Sequence, residues 1–448
     1  MSASVANPPL DPTSVPEVDA KKLYRKITWR LIPYIFILYI LAYLDRVNVG
    51  YAVTELKGDL RLADSVFGLG AGIYFLGQFC FDLPSNLLLA KVGPRIWIAR
   101  IMISWGLVAT LMTLMQGPRS FLLLRFLLGL TEAGFFPGII LYLTYWFPSR
   151  ERAQAVAKFM TATSIASLVG GFVAHSLMRL DGIGGLHGWQ WLFLSEGIPT
   201  ILMGFSVLSI LKDHPDDAPW LTVPERQWLD KELERDRAEG GASTHDNLLD
   251  AFKMPMVWVL AGVFALDQIG VYTVNFWMPD MLTLLMHGGV GAAAKINTSS
   301  LVALLSTIPY AAAVVCTVLV GWNSDRTFER RWHIAGCFLL SAAGFSWASY
   351  TQSVAGMLCA MSLAAVGYWS MMGPFWALPT RVLGGRGAAG GVAIITMIGS
   401  LGGFAGPYLT GWFKQHTHSF STGLLVVAGL AVVGAGLVLV LQRTEHPA

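Results

Sequence analysis

Charge is what this chain has least of. Of 448 residues only 13% are charged, and the formal net charge is +3, where soluble domains average roughly 25% charged residues. A soluble core of this size would lack the polar surface to cover it. The small net charge gives no support for a nucleic-acid partner. Cysteine is scarce too: Cys80, Cys316, Cys337 and Cys359 fall in apolar runs with no CxxC or metal-ligand spacing. That argues for buried free thiols, against a disulfide framework, and for no metal site. The sequence also lacks HExxH, GxSxG and GxxxxGK[ST] patterns, which leaves a membrane enzyme without its usual chemistry. Residues 1–20 carry Pro, Ser and Asp but no cleavage-site pattern, and read as a tail rather than a signal peptide.

What is abundant is apolar sequence, 54% of the chain. The first run reaches from about Trp29 to Val53. Further runs lie at about 65–89, 96–117, 120–143, 154–178 and 190–211. After a charged, Pro-containing stretch over 212–250 come six more, at about 256–285, 299–322, 332–350, 354–379, 388–413 and 422–441. Each is near the roughly 20 residues that cross a bilayer as helix. The expected organisation is an N-terminal tail (1–28), two six-helix halves (29–211 and 251–442), a linker (212–250) holding a short amphipathic helix near Pro224–Leu233, and a short C-terminal tail (443–448).

The basic residues orient these spans. With both termini in the cytoplasm, the external segments hold only Lys57, Arg61, Arg119, Arg179, Lys295 and Lys414 of the 31 Lys and Arg. Arg46 and Arg125 lie inside helices and the rest fall on the cytoplasmic side, a bias that fixes topology. The halves also echo one another. Pro148-Ser149-Arg150 returns as Pro379-Thr380-Arg381, Gly170-Gly171-Phe172 as Gly402-Gly403-Phe404, and Lys91 with Arg95 as Arg326 with Arg330. Duplicated halves place a substrate site at their midplane interface; chance recurrence of short Gly and Pro patterns is the alternative.

The organising stretch is Tyr43-Leu44-Asp45-Arg46-Val47-Asn48-Val49-Gly50-Tyr51. An acid or a guanidinium at the centre of a span costs about 2.5–3.5 kcal/mol on insertion scales. Such groups pair, line a wet cavity or handle an ion. A buried ion pair that only locks two helices is the other reading. Asp45 and Asn48, three apart, share a face, and Arg46 points about 100° away. In the fourth run, Arg125 and Glu132 lie about two turns apart on one face. Arg125 offers a planar fork that fits a carboxylate, and a desolvated Glu132 could carry a proton. A structural Arg125–Glu132 or Arg125–Asp45 pair would use the same residues differently. Asp267 and His175 are lone polar groups, expected to face a wet cavity or to pack. Tyr74, Gln78, Trp369, Ser370 and Trp376 are candidates for lining the cavity.

Gly321-Trp322-Asn323-Ser324-Asp325-Arg326, with Arg330 and Arg331 behind it, resembles the loop signature of the major facilitator superfamily. The first-half copy, Asn86 to Arg95, is degraded. Tyr43–Gly50, Pro84-Ser85-Asn86-Leu87, Thr131–Gly138, Trp189–Gly197 and Trp220-Leu221-Thr222 resemble the anion:cation symporter family within it, including tartrate, phthalate and hydroxyphenylacetate permeases. The resemblance implies an all-α integral membrane protein, with 12 transmembrane helices as two pseudo-symmetric six-helix bundles. It implies a proton-coupled importer of a small organic acid in a bacterial inner membrane, with the proton as coupling ion, no other cofactor, and a monomer as the working unit. Exchange, uniport and ligand sensing are the competing functions. Carried over position by position, proton handling falls to Asp45 and Glu132 and anion recognition to Arg125. Arg46, Asn48 and Tyr43 support them. Thr396 stands where relatives often carry Asn, which leaves the far end of the substrate unassigned. Lys91, Arg95, Asp325 and Arg326 are expected to form a cytoplasmic gate.

Overall fold

The computed structural model describes residues 18–240, 253–289, 298–382 and 384–441. Among them there is no strand. The helices are α1 (Ala20–Tyr51), α2 (Val53–Asp59), α3 (Asp64–Val92), α4 (Pro94–Leu111), α5 (Pro118–Glu132), α6 (Phe135–Thr144), α7 (Ser149–Met178), α8 (Gly188–Ile210) and α9 (Val223–Gly240). After the linker come α10 (Pro255–Gly289), α11 (Thr298–Leu305), α12 (Thr307–Thr327), α13 (Arg331–Tyr350), α14 (Val354–Ser370), α15 (Met372–Val382), α16 (Gly384–Thr417) and α17 (Ser421–Val440). Among the described residues nine helical stretches are long and apolar enough to cross a membrane. Three more long helices, α7, α13 and α16, pack among them.

Two boundaries that differ from the apolar runs bear on the site. The first helix starts at Ala20, not near Trp29, because Asp19 caps it by accepting the Lys22 N–H (3.1 Å), and Leu23 and Ile27 bury against the bundle. Hydropathy alone could not see a helix whose first turns carry Lys21, Lys22, Arg25 and Lys26. The fourth run is broken after Glu132. Gly134 there takes φ +83°, and an added Cβ would lie 2.2 Å from Ser85 Oγ. Asp82 Oδ1 accepts the Gly134 N–H (2.7 Å) and Ser85 Oγ donates to Ala133 C=O (2.8 Å). The Pro84-Ser85 and Glu132-Ala133-Gly134 stretches are therefore two sides of one clamp that ends α5 at Glu132.

The linker is fastened to the N-terminal half. Lys26 Nζ meets Glu225 at 2.7 Å, Thr222 N–H bonds the same carboxylate at 2.8 Å, and Trp220 stacks on Trp146. Partial burial pushes Glu225 up, but its bonds to Lys26 and Thr222 outweigh that and leave it below its ordinary value. Its contribution to stability is thus present above the carboxylate range and lost as pH falls through it.

The halves meet through α1 with α10, α3 with α16, and α7 with α11 and α12. The contacts concentrate where α1 ends, α3 begins, and α10 and α16 are in their second halves. Glycine makes the approach possible. A Cβ on Gly50 would stand 2.1 Å from the Asn275 carbonyl oxygen, and one on Gly68 2.5 Å from that of Pro407. Four charges close the same end. Lys57 Nζ lies 2.5 Å from Asp64 and 3.1 Å from Asp280, and Lys414 Nζ lies 3.0 Å and 2.5 Å from the same two acids. Lys57 and Asp64 belong to one half, Asp280 and Lys414 to the other. Removing one cation, as in Lys414→Gln, leaves two largely buried acids on one lysine, which costs on the order of 2 kcal/mol. Spin-label distances across that end, between positions 61 and 418, should therefore broaden toward longer values in Lys414→Gln. An unchanged distribution would show that the charges do not hold this end together.

Candidate functional site

The organising stretch lies at the end of α1, and its residues divide as helical spacing requires. Arg46 turns toward α3, α5 and α10; Asp45 and Asn48 turn toward α4 and α8. On the first side, Arg46 Nη2 pairs with Glu132 Oε1 at 2.5 Å. Arg46 Nε donates to the Tyr74 hydroxyl (3.0 Å), Nη1 donates to the Tyr272 hydroxyl (3.4 Å), and Gln78 Nε2 donates to the Tyr74 oxygen (2.8 Å). Tyr272 belongs to the C-terminal half, so the Arg46 guanidinium touches both halves. Glu132 is almost fully buried while the Arg46 side chain keeps 14% exposure. Of the pair, it is the Arg46 side chain that keeps some exposure. Glu132 Oε2 is buried with no hydrogen-bond partner.

Arg125 is placed differently from the open fork expected of it. It is fully buried. Nε donates to Gly70 C=O (3.1 Å), Nη2 to Ala71 C=O (3.4 Å), and the guanidinium lies over the Tyr74 ring at 5.0 Å. Nη1 alone has no partner. Arg125 pairs with neither Glu132 nor Asp45; the ion pair is Arg46–Glu132. Seven residues apart on α5, Arg125 and Glu132 still do not pair, because α1 gives Glu132 another cation.

On the second side, Trp105 Nε1 donates to Asp45 Oδ2 (2.6 Å), and Asn48 Nδ2 donates to Asp45 Oδ1 (3.2 Å) and to Glu196 Oε2 (2.5 Å). The C-terminal half brings Tyr310, whose hydroxyl donates to Asn275 Oδ1 (2.6 Å) and whose ring packs edge-on against Trp369. Asn275 Nδ2 and Ser370 Oγ are buried polar atoms without hydrogen-bond partners. Tyr43 is buried near Tyr51 and Tyr310. Trp376 packs on Phe264 and Phe375, and Thr396 Oγ1 is spent on Val392 C=O.

The remaining expectations fall outside this centre. Asp267 is fully buried with neither carboxylate oxygen bonded, and it acts on Tyr368 and Cys337. His175 Nδ1 is bonded to Ser300 and is a packing contact between halves. Asp325 pairs with Arg330 (2.6 Å) inside its own loop, which turns at Phe328 (φ +53°), and Arg326 lies over Trp322. The Arg95 backbone N–H donates to Asp213 Oδ1 (2.9 Å). Among the described residues Lys91, Arg95, Asp325 and Arg326 form no bond between halves. Glu196, Trp105, Tyr272, Asn275 and Tyr310 were not singled out from sequence. Glu196 could have been: it is an acid in the apolar run after Trp189, the criterion that marked Asp45.

Comparison with known proteins settles the family. The sequence model described as Major Facilitator Superfamily matches residues 35–407. The chain belongs to that superfamily. It is 44% identical over 427 residues to a candidate tartrate transporter of Agrobacterium vitis, covering 95% of this chain and 93% of that one. It is 38% identical over 414 residues to a quinolone resistance transporter of Acinetobacter baumannii, covering 92% and 93%. Its fold matches an inward-facing, occupied bacterial homologue of the lysosomal transporter Spinster with a TM-score of 0.74 at 19% identity, over 95% of this chain and 99% of that one. The protein is thus a multi-pass membrane transporter, not an enzyme.

The ion pair sets a stability test. Breaking a buried pair by removing one partner costs about 3–5 kcal/mol, because the other charge is stranded. Arg46→Met should lower the melting temperature in detergent, and Arg46→Met with Glu132→Gln should recover most of the loss. Equal melting of the single and double variants would mean that Glu132 does not depend on Arg46.

Proposed function

We propose that this transporter is a proton-coupled symporter that brings a small organic carboxylate into a bacterial cell by alternating access. The observation that carries the reading is the Arg46–Glu132 pair. A guanidinium stays protonated, so only Glu132 can change charge in that pair. While Glu132 is ionised it occupies Arg46. Protonation of Glu132 releases the guanidinium, and a substrate carboxylate takes its place. Proton and anion then bind together through one cation, which is the requirement of symport. The buried Nη1 of Arg125, a few ångströms behind the Tyr74 ring, supplies a second donor of the same sign.

Twelve spans with both termini in the cytoplasm accord with the Lys and Arg distribution, in the inner membrane of the cell. The end closed by Lys57, Asp64, Asp280 and Lys414 is then the external one, and the loops carrying Lys91 and Asp325 gate the cytoplasmic side when the molecule turns over. Asn275 Nδ2 and Ser370 Oγ, with Trp369 beside them, face the substrate's far end with neutral donors. The proton is the coupling ion, no further cofactor is needed, and a single chain contains every group used. The relatives' names range from tartrate to quinolone transport, so likeness does not choose the substrate. Two buried cationic side chains at the centre favour an anion.

Two measurements test this. Arg125→Lys should weaken binding of the carboxylate by tenfold or more in calorimetry on folded protein, since an ammonium cannot hold two carbonyls and still reach the ligand; unchanged affinity would remove Arg125 from the site. In proteoliposomes, Glu132→Gln should lose accumulation driven by a pH gradient and keep substrate-for-substrate exchange, because exchange does not require proton release. Accumulation equal to wild type would end the role of Glu132. Retained exchange in wild type with no gradient response would favour an exchanger instead.

A further inference from the structure

The Arg46–Glu132 pair leaves unexplained a second buried set of acids on the opposite face of α1. Asp45, Asn48 and Glu196 are 0%, 1% and 4% exposed. The two carboxyls are joined through one amide nitrogen, Asn48 Nδ2, at 3.2 Å and 2.5 Å, and the Trp105 indole donates to Asp45 as well. Among the described residues no lysine or arginine bonds either carboxyl. Arg46 is committed to Glu132, and Arg125 to the carbonyls of Gly70 and Ala71. Around the pair, Glu132 and Arg125 on α5 act on Asp45, and Glu196 in turn acts on Tyr51 of α1; α4 and α8 contribute Trp105 and Glu196 itself. Two like charges about 6 Å apart repel by roughly 3 kcal/mol even at an effective dielectric constant of 20. Neutral N–H donors do not cancel that. A separate observation points the same way: Asn48 Oδ1, on the bridging amide, is a buried acceptor with no partner among the described residues. A carboxyl O–H is the donor that would complete it.

We propose that the proton expected at Asp45 is shared with Glu196 across Asn48, apart from the Arg46–Glu132 pair. The shared proton follows from the geometry alone, whereas its part in transport rests on the coupled-symport reading. Glu196 is the positioning partner. Asn48, bonded to both carboxyls, transmits a change at one to the other.

The test is an infrared pH titration of purified protein, following the protonated-carboxyl C=O stretch that disappears on Asp45→Asn. With Glu196→Gln the like charge is gone while the hydrogen-bonding shape is kept, so Asp45 should release its proton at a pH lower by about one unit or more. The same midpoint with and without Glu196 would overturn the proposal. Should Glu196→Gln not fold, Asp45→Asn reads the coupling from the other side: the band that depends on Glu196→Asp should then move to lower pH, and a fixed band would count against sharing. In proteoliposomes the proton-limited limb of uptake should move to lower pH by the same amount in Glu196→Gln, whereas a merely structural loss would lower the rate at an unchanged midpoint. If wild-type uptake ignores the pH gradient, the symport reading fails, and the infrared titration still decides the shared proton.

Discussion

Everything at the centre of this molecule follows from the cost of keeping charge in an apolar interior. A guanidinium there cannot shed its proton, so Arg46 must be met by an anion and by oriented dipoles. Glu132 and the hydroxyls of Tyr74 and Tyr272 meet it. Because α1, α3, α5 and α10 all contribute to that one cation, its state of pairing is felt by both halves. The same requirement explains the clamp at Asp82, Ser85 and Gly134, which stops α5 where Glu132 can reach Arg46. It also explains why the closed end spends two lysines on two acids rather than one on one.

The halves are held by contacts of two kinds, and they respond differently to motion. Glycine-mediated approaches such as Gly50 against Asn275 are short-range and are lost with a small separation. The Lys57, Asp64, Asp280 and Lys414 cluster is longer-ranged and becomes rewettable as that end parts. Rocking about the centre therefore exchanges dry packing and paired charge for solvated charge, a balance that a bound substrate can tip. The opposite loops, where Asp325 is satisfied by Arg330 within its own turn, make no competing bond across the halves among the described residues.

Much of this was legible in the chain. Low charge, long apolar runs and the distribution of Lys and Arg gave a membrane bundle, and the position of Asp45, Arg46, Arg125 and Glu132 inside apolar runs marked the centre. Helical spacing correctly separated Arg46 from Asp45 and Asn48. Pairing was not legible, because it depends on which helices become neighbours. Arg125 bonds carbonyls of α3, and Glu132 finds Arg46 rather than the arginine on its own helix. Glu196 reaches Asn48 across 148 positions of sequence. The early start of α1 was hidden because its first turns are basic outside and apolar only at Leu23 and Ile27.

The central claim is that anion and proton bind through one guanidinium. Calorimetry of a carboxylate ligand, repeated in buffers of different ionisation enthalpy, counts the protons taken up per anion bound. The account predicts uptake near one proton on wild-type protein above neutral pH, falling toward zero in Glu132→Gln. Tight binding to wild type with no proton taken up, or the same uptake in both proteins, would contradict it.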